Sequence, residues 1–465
     1  MPSDLPTSPP PSAPPLLGWY GDDFTGATDT LATLAHAQWR ALLFLGVPTP
    51  VQLAAVGPLD AIGIAGAARA MDPAAMQAEL DPVGRFFAAT GVPVLHYKVC
   101  STFDSAPAVG SIGAAIRALR PHVASAFVPI VGGQPSIGRY CAFSNLYAAA
   151  GFGGTVHRID RHPTMSRHPV TPMHEADLRL HLAAQGLAEV GALHYPSYDG
   201  GDAALDALLE AELVWLAGYA GGAIRAVLFD VAHASHLAAV GRLLWQRAQR
   251  QRLLAVGSSS VAQALTAHLA GPAATSTRAA FAAPALAPAE GPVFALSGSM
   301  SPVTARQVDA ATMYERLPVA AARLADDREY AGALAGQIVG DLRAGRNVLA
   351  YTHAPDGSAA DAVPAQRIAQ ATAALAAEVV KRMAKSAPLR RIGVAGGDTS
   401  SHVAQALGLW GLSYKTTMAP GVTLSRAHSE DPALDGLELM LKGGQMGPLD
   451  LFGRLATGQL GSDPN

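Results

Sequence analysis

Two cysteines, Cys100 and Cys141, in 465 residues are too few for a disulfide framework, which points to reduced thiols and a cytoplasmic protein. Charged residues are equally scarce, at 15%, and the formal net charge of −3 leaves no basic surplus to mark a nucleic-acid surface. No uncharged apolar run reaches membrane-spanning length; the mean hydropathy of +0.21 reflects abundant alanine, leucine and glycine. Met1 to Pro15 contains no Lys or Arg and is dominated by Pro and Ser. That composition predicts a disordered tail, without the basic start and apolar block of a signal peptide. Two nucleotide signatures are missing as well. There is no Gly-x-x-x-x-Gly-Lys-Ser/Thr segment and no His-Arg-Asp loop, which excludes a P-loop site and a protein-kinase-type site.

What is present is an alternation of short apolar runs with helical stretches. Strands are expected at Ala41–Leu45, Ala61–Ala65, Val92–Lys98, Ala124–Ile130, Ala223–Phe229 and Leu253–Val256, with helices at Ala108–Leu119, His174–Leu187 and Ala234–Arg252. A stretch with four prolines and little periodicity, Thr266 to Pro292, reads as a linker. A second alternating unit follows, with strands at Val293–Leu296, Asn347–Tyr351 and Arg391–Ala395, and helices through Gln307 and over Ala365–Lys385. The expectation is α/β: two domains, each a mostly parallel sheet flanked by helices, with the active site in the cleft between them. The divisions are a tail over 1–16, an N-terminal domain over 17–270, a linker over 271–292 and a C-terminal domain over 293–465.

Two strand-to-helix turns carry chemistry. Gly396-Gly397-Asp398-Thr399-Ser400-Ser401 follows the strand Arg391–Ala395 and opens a helix. A glycine turn at a helix N-terminus leaves backbone N–H groups free to bind phosphate. Asp398 could hold Mg²⁺ or accept a proton. Trp19-Tyr20-Gly21-Asp22-Asp23-Phe24-Thr25-Gly26 is also a strand end leading into a helix, but with two adjacent acids in the turn. Such carboxylates suit binding or deprotonating a sugar hydroxyl at the carboxyl edge of a parallel sheet. The plainer alternatives stay open here: a tight turn capped by Asp398 and Thr399, and a helix capped by Asp23 or Thr25.

Taken together these segments resemble the four-carbon acid sugar kinases. The matching stretches are Gly21 to Ala27, Lys98 to Ser105, His168 to Met173, Ser297 to Ser299, Gly396 to Ser400 and Leu441 to Gly444, in family order along nearly the whole chain. The resemblance implies ATP and Mg²⁺ as cofactors, a small sugar acid as substrate held by the N-terminal domain, and nucleotide held by the C-terminal one. Two departures stand out. Where tetronate kinases carry a Pro-Glu-Asn-Gly-Arg type segment, this chain reads Ile130 to Tyr140, and the stretch Arg158 to Pro169 is unusually basic. Both resemble the 3-oxo-isoapionate kinase branch. The ending Lys442-Gly443-Gly444-Gln445 also differs from the commoner Lys-Ser-Gly-Asn form.

The residues assigned roles follow. Asp22, Asp23 and Asp398 are the catalytic candidates, and Asp22 also contacts substrate. Arg69, Lys98, Ser101, Thr102, Asp104, Arg139 and His168 are expected on the sugar acid, with Lys98 and Arg69 meeting its carboxylate. Ser299, Gly396, Gly397, Asp398, Thr399, Gly421 and Gly443 are expected on the nucleotide; the metal ligands are left unassigned. Nucleic acid and membrane are not expected as partners, and a homodimer is left open. Two rivals are a nicotinamide-dependent oxidoreductase, disfavoured by the absence of Gly-x-Gly-x-x-Gly after the first strand, and a non-catalytic sugar-acid sensor.

Overall fold

A computed structural model describes residues 14–151, 153–168, 170–218, 224–270, 286–299, 301–353 and 363–460, with the side chains of His353, Ala365 and Asp398 outside the description. Most of the expected tail (1–13) and linker (271–285) lie outside the described residues, as do Pro169 and Met300.

Eleven strands precede the linker: β1 Leu17–Gly21, β2 Ala41–Phe44, β3 Ala61–Ala65, β4 Val94–Lys98, β5 Val128–Gly132, β6 Arg139–Ala142, β7 Asn145–Ala149, β8 Val156–Arg158, β9 Val190–Leu193, β10 Ala226–Asp230 and β11 Leu253–Gly257. Seven follow it: β12 Phe294–Ser297, β13 Glu315–Ala320, β14 Val348–His353, β15 Arg391–Ala395, β16 Gly411–Ala419, β17 Val422–His428 and β18 Glu438–Lys442. Fifteen of them form one sheet in the order β13-β14-β12-β15-β18-β17-β16-β2-β3-β1-β4-β11-β5-β10-β9, while β6, β7 and β8 make a small antiparallel sheet. From β2 to β9 every pairing is parallel, and so is every pairing from β13 to β18. The two halves are joined edge to edge through antiparallel β16 and β2, at Gly411–Phe44 and Leu412–Leu43.

Buried aliphatic side chains on both faces make these strands form. β1, β3, β4, β5, β10 and β11 are buried at every residue, which fits a parallel sheet covered by helices on both sides. Strand order reverses twice. From β1 the chain runs outward through β2 and β3 before returning to β4 on the other flank; from β12 it runs through β13 and β14 before returning to β15. Such switch points, at the carboxyl ends of the strands, are where open α/β sheets bind ligands.

The structure corrects several expected boundaries. The strand expected at Ala124–Ile130 runs over Val128–Gly132, because Ala124, at φ +53, closes the helix Ile112–Val123. That helix starts four residues later than expected, at the Ser111 cap, since Gly110 takes φ +61. Only Leu178–Ala183 of the stretch His174–Leu187 is helical; the residues before it pair with β7, Leu146 N–H donating to Ala176 O. β13 escaped notice because it carries Pro318, which is tolerated on the outermost strand of the sheet, where β13 lies.

Candidate active site

β1 ends at Gly21, level with Ala65 of β3 and Lys98 of β4, so the residues that leave these strand ends converge. Arg69, on a short 3-10 turn after β3, donates from Nε and Nη2 to the two carboxylate oxygens of Asp22, at 3.4 and 3.0 Å. Its Nη2 also lies 3.0 Å from Asp23 Oδ1. Lys98 Nζ, 4% exposed, donates to that same oxygen at 3.4 Å. Asp23 caps the helix Phe24–His36 as well, accepting from Gly26 N–H at 3.0 Å and from the Thr25 hydroxyl at 2.5 Å. The capping alternative is therefore right for Asp23, and Asp22 is left outside it. Gly26 has no freedom to change: a Cβ there would sit 1.3 Å from Lys98 Nζ.

The two acids share a buried environment that drives them apart. Burial is the largest influence on both and favours the protonated form. For Asp22 it prevails over Arg69 and Lys98, and the carboxyl is raised above its ordinary range. For Asp23 the same two cations, with the bonds from Thr25 and Gly26, outweigh burial and hold the group far below that range. Neighbouring carboxyls separated this way are suited to different roles, one taking a proton and one staying charged. Burial likewise favours neutral Lys98, but Asp23 and Asp22 keep its ammonium charged.

The loop after β4 adds a third acid. Asp104 accepts from Thr102 Oγ1 at 2.5 Å, and Thr102 lies 3.0 Å from Cys100 Sγ. Burial opposes ionisation of Asp104, but Arg69, Cys100, Thr102 and, more weakly, His168 hold its carboxyl low. Burial pushes the Cys100 thiol up to about 11, so it stays protonated.

In the second half, Ser297 of β12, Ala395 of β15 and Lys442 of β18 end level on adjacent strands. Gly396, at φ +120, turns the chain into the helix Gly397–Ala406. The loops here are pressed together. A Cβ on Gly298 would meet Thr399 Oγ1 at 2.1 Å, and one on Gly444 would meet Ser299 Oγ at 2.5 Å. Ser297 and Ser400 hydroxyls are buried without a partner among the described residues. Lys442 is wholly buried; its Nζ donates to Thr304 Oγ1 at 2.9 Å and approaches Gly444 O at 3.5 Å. It has no carboxylate partner among the described residues, and burial pushes it down to about 7. Free N–H groups at a helix start, glycine-lined loops and unmet hydroxyls together suit the phosphates of a nucleotide.

The two groups face each other. Asp23 Oδ2 lies 3.8 Å from where a Cβ on Gly397 would stand, and Phe24 N–H donates to Ser401 Oγ at 3.5 Å. A cavity of about 290 Å³ is walled by Ser136 to Tyr140 and by glycines 151, 153 and 154 from the first half, and by Pro420 and Gln445 to Gly447 from the second. Among the described residues no group of three His, Cys, Asp or Glu side chains could hold a metal ion.

Residues 17–265 match the model of a sugar-binding N-terminal domain, and residues 294–452 that of a nucleotide-binding C-terminal domain. The chain belongs to the four-carbon acid sugar kinase family. It is similar to a 3-oxo-isoapionate kinase of Paraburkholderia graminis, 38% identical over 96% of this chain and 95% of that protein. It is also similar to a 3-oxo-tetronate kinase of Methylobacterium radiotolerans, 33% identical over 94% of this chain and 98% of the relative. Among solved structures it resembles a Salmonella typhimurium LT2 protein with a TM-score of 0.73 and 26% identity, covering 94% of this chain and 98% of that one. A Haemophilus influenzae protein follows, with a TM-score of 0.66 and 25% identity, covering 95% of this chain and all of its own. No described helix is long and apolar enough to cross a membrane.

Within this family frame, the structure gathers Asp22, Asp23, Arg69, Lys98, Thr102 and Asp104 at one strand edge. Arg139 and His168 lie close enough for their charges to be felt, by Cys100 and Asp104 in the case of Arg139 and by Asp104 in that of His168. Ser101 is half-buried and its hydroxyl has no partner among the described residues. Ser299, Gly396, Gly397, Thr399 and Gly443 gather at the other edge, and the backbone of Asp398 stands in the first turn of the helix. Gly421 lies in the β16–β17 turn at φ +72, where a Cβ would meet Cε of Met446 at 2.3 Å, the same residue that a Cβ on Gly443 would meet at 3.4 Å. Its glycine is demanded by that turn. Much of the basic stretch orders itself: Arg158 is tied to Asp160, and His162 Nδ1 accepts from Thr164 and Met165 N–H. Lys442 ends a strand just before a Gly-Gly pair, and sequence reasoning assigned it no role although its ammonium is buried.

Proposed function

We propose that the chain is a Mg²⁺-requiring kinase that phosphorylates a hydroxyl of 3-oxo-isoapionate or a related four-carbon acid, with acid bound over 17–270 and nucleotide over 293–465. The observation that carries this reading is the approach of Asp23 Oδ2 to within 3.8 Å of a Cβ position on Gly397. It sets the acids that handle an acceptor hydroxyl beside the turn suited to phosphate. ATP supplies the phosphoryl group, and the transfer needs alignment and charge more than covalent help. Asp22, the acid raised by burial, takes the proton of the acceptor hydroxyl. Asp23 stays charged, fixing Arg69, Lys98 and the start of its helix. The glycine turns at Gly396 and Gly444, with Ser299 and Thr399, would hold phosphates. Asp398 is the residue assigned to the metal, since Mg²⁺ is commonly held by phosphates and only one or two carboxylates. Closure of the halves about the β2–β16 junction would exclude water.

The resemblance to the Paraburkholderia enzyme favours a branched, apiose-derived acid over linear tetronates. The test is ADP release with ATP and Mg²⁺ over 3-oxo-isoapionate, 3-oxo-tetronates, D-threonate and D-erythronate. The expected outcome is the highest kcat/KM on 3-oxo-isoapionate. Preference for a linear tetronate would overturn the substrate while keeping the kinase, and no turnover on any acid would overturn the reading itself.

A further inference from the structure

Six Lys or Arg residues are buried among those described: Lys98, Arg139, Arg242, Arg391, Lys442 and Arg454. Four have a carboxylate partner: Lys98 has Asp23 at 3.4 Å, Arg242 has Asp206 at 3.0 Å, Arg391 has Glu438 at 2.6 Å and Arg454 has Asp450 at 2.9 Å. Arg139 and Lys442 have none among the described residues. A buried cation without a counter-ion is costly, so where a fold keeps one the missing anion is commonly a ligand.

Arg139 opens β6 and lines the cavity between the halves, with 8% of its surface exposed. Nη1 donates to Ile137 O at 2.5 Å, while Nε is buried with no partner among the described residues. The two acids whose fields reach it are turned elsewhere: Asp104 accepts from Thr102, and Asp29 from Gln134 Nε2 at 2.9 Å. Meanwhile Arg69 and Lys98, the cations expected to meet the substrate, are matched two for two by Asp22 and Asp23. A ligand carboxylate arriving there adds a third negative charge to a balanced set, with Asp104 close by.

We propose that Arg139 receives the carboxylate of the sugar acid through its unpartnered Nε edge, and that Arg69 and Lys98 serve instead to hold the Asp22–Asp23 pair. The proposal rests on the kinase reading and deepens it. A planar carboxylate suits the guanidinium fork, which an alcohol or ketone does not fill. The nucleotide half has its own buried cation, Lys442, without a carboxylate partner among the described residues, so Arg139 is not needed for phosphate.

The test compares the preferred sugar acid with its carboxamide, an uncharged analogue of the same shape, in the parental enzyme, Arg139→Gln and Arg139→Lys. In Arg139→Gln, kcat/KM for the acid should fall roughly 10²–10³-fold, the scale of losing one partner of a buried charge pair, while that for the amide changes little. Arg139→Lys should keep the preference for the acid at reduced kcat/KM, and ADP affinity by calorimetry should be unchanged in both. Equal losses on acid and amide would mean a structural role and overturn the proposal. So would a loss of ADP affinity with the acid preference intact, which would hand Arg139 to the nucleotide. A parental enzyme that binds ADP but turns over no acid fails the kinase reading instead. Should Arg139→Gln not fold, Arg139→Lys decides alone: no loss on the acid would overturn the assignment.

Discussion

Replacing Lys442 by Met should make the empty protein more stable and the enzyme worse at holding nucleotide. The ammonium is fully buried, has no carboxylate partner among the described residues, and is pushed from the ordinary 10.5 down to about 7. At about 1.4 kcal/mol for each tenfold change in proton affinity, that amounts to roughly 4–5 kcal/mol against the charged form. The unfolded chain holds the proton up to pH 10.5 and the folded chain only to about pH 7. The folded state therefore loses stability through this group as pH falls from 10.5 to 7, and nothing further below 7. Met fills a similar volume and removes that dependence. It forfeits the bond to Thr304, worth about 1 kcal/mol, while Thr304 keeps Gly444 O at 2.6 Å. The net gain should be ~3–4 kcal/mol near neutral pH, seen as a melting temperature higher by a few degrees. On the proposed reading nucleotide supplies the missing anion in the parental protein, so ADP affinity in Lys442→Met should drop by roughly 10²-fold or more. At pH 8 parental binding should take up a fraction of a proton, read by calorimetry in two buffers of different ionisation heat, and the variant should take up none. A variant that melts lower and binds ADP normally would show that Lys442 only braces the loop.

Two further variants separate the halves of the site. Gly397→Val should abolish ATP binding while sugar-acid binding stays measurable; a Cβ there meets nothing nearer than Asp23 Oδ2 at 3.8 Å, so the branched side chain fills the gap between the halves and spares the core. Normal ATP affinity in the folded variant would remove the nucleotide from this turn. Asp22→Asn should lower kcat by roughly 10²–10⁴-fold with ATP affinity nearly intact, and turnover at the parental rate would leave Asp22 a purely structural partner of Arg69.

The parallel architecture and both ligand turns were legible because they depend on local chemistry. Apolar runs ending in Gly-Asp-Asp or Gly-Gly-Asp mark strand ends that lead into helices, whatever the rest of the chain does. The joining of the halves was not legible. It rests on β16 meeting β2 over two residue pairs that lie more than 360 positions apart, and β16 has no signal of an edge that seeks a partner. β13 was hidden for the opposite reason, since Pro318 argues against a strand unless its place at the sheet edge is known. The helix expected over His174–Leu187 failed because apolar spacing cannot reveal that its first residues are claimed by β7.

Pairing of charge was the hardest thing to read, and it changes the account of the site most. From sequence, Lys98 and Arg69 are cations at strand ends and so read as receivers of a substrate anion. The fold brings them instead against Asp22 and Asp23, acids from a different strand end, and the four groups neutralise one another. Lys442 and Arg139 show the reverse. One ends a buried strand and the other begins a hairpin strand, and neither position looks different from a cation with a partner nearby. Only burial combined with the absence of a carboxylate partner among the described residues sets them apart. A motif can thus locate a site without showing its charge pairing: the motif fixes which residues stand at a strand end, and tertiary packing decides which of them are already neutralised. If the proposed roles hold, the cations that meet ligands are the two without a carboxylate among the described residues, one in each half, and their variants should divide cleanly, Arg139 acting on the acid and Lys442 on the nucleotide.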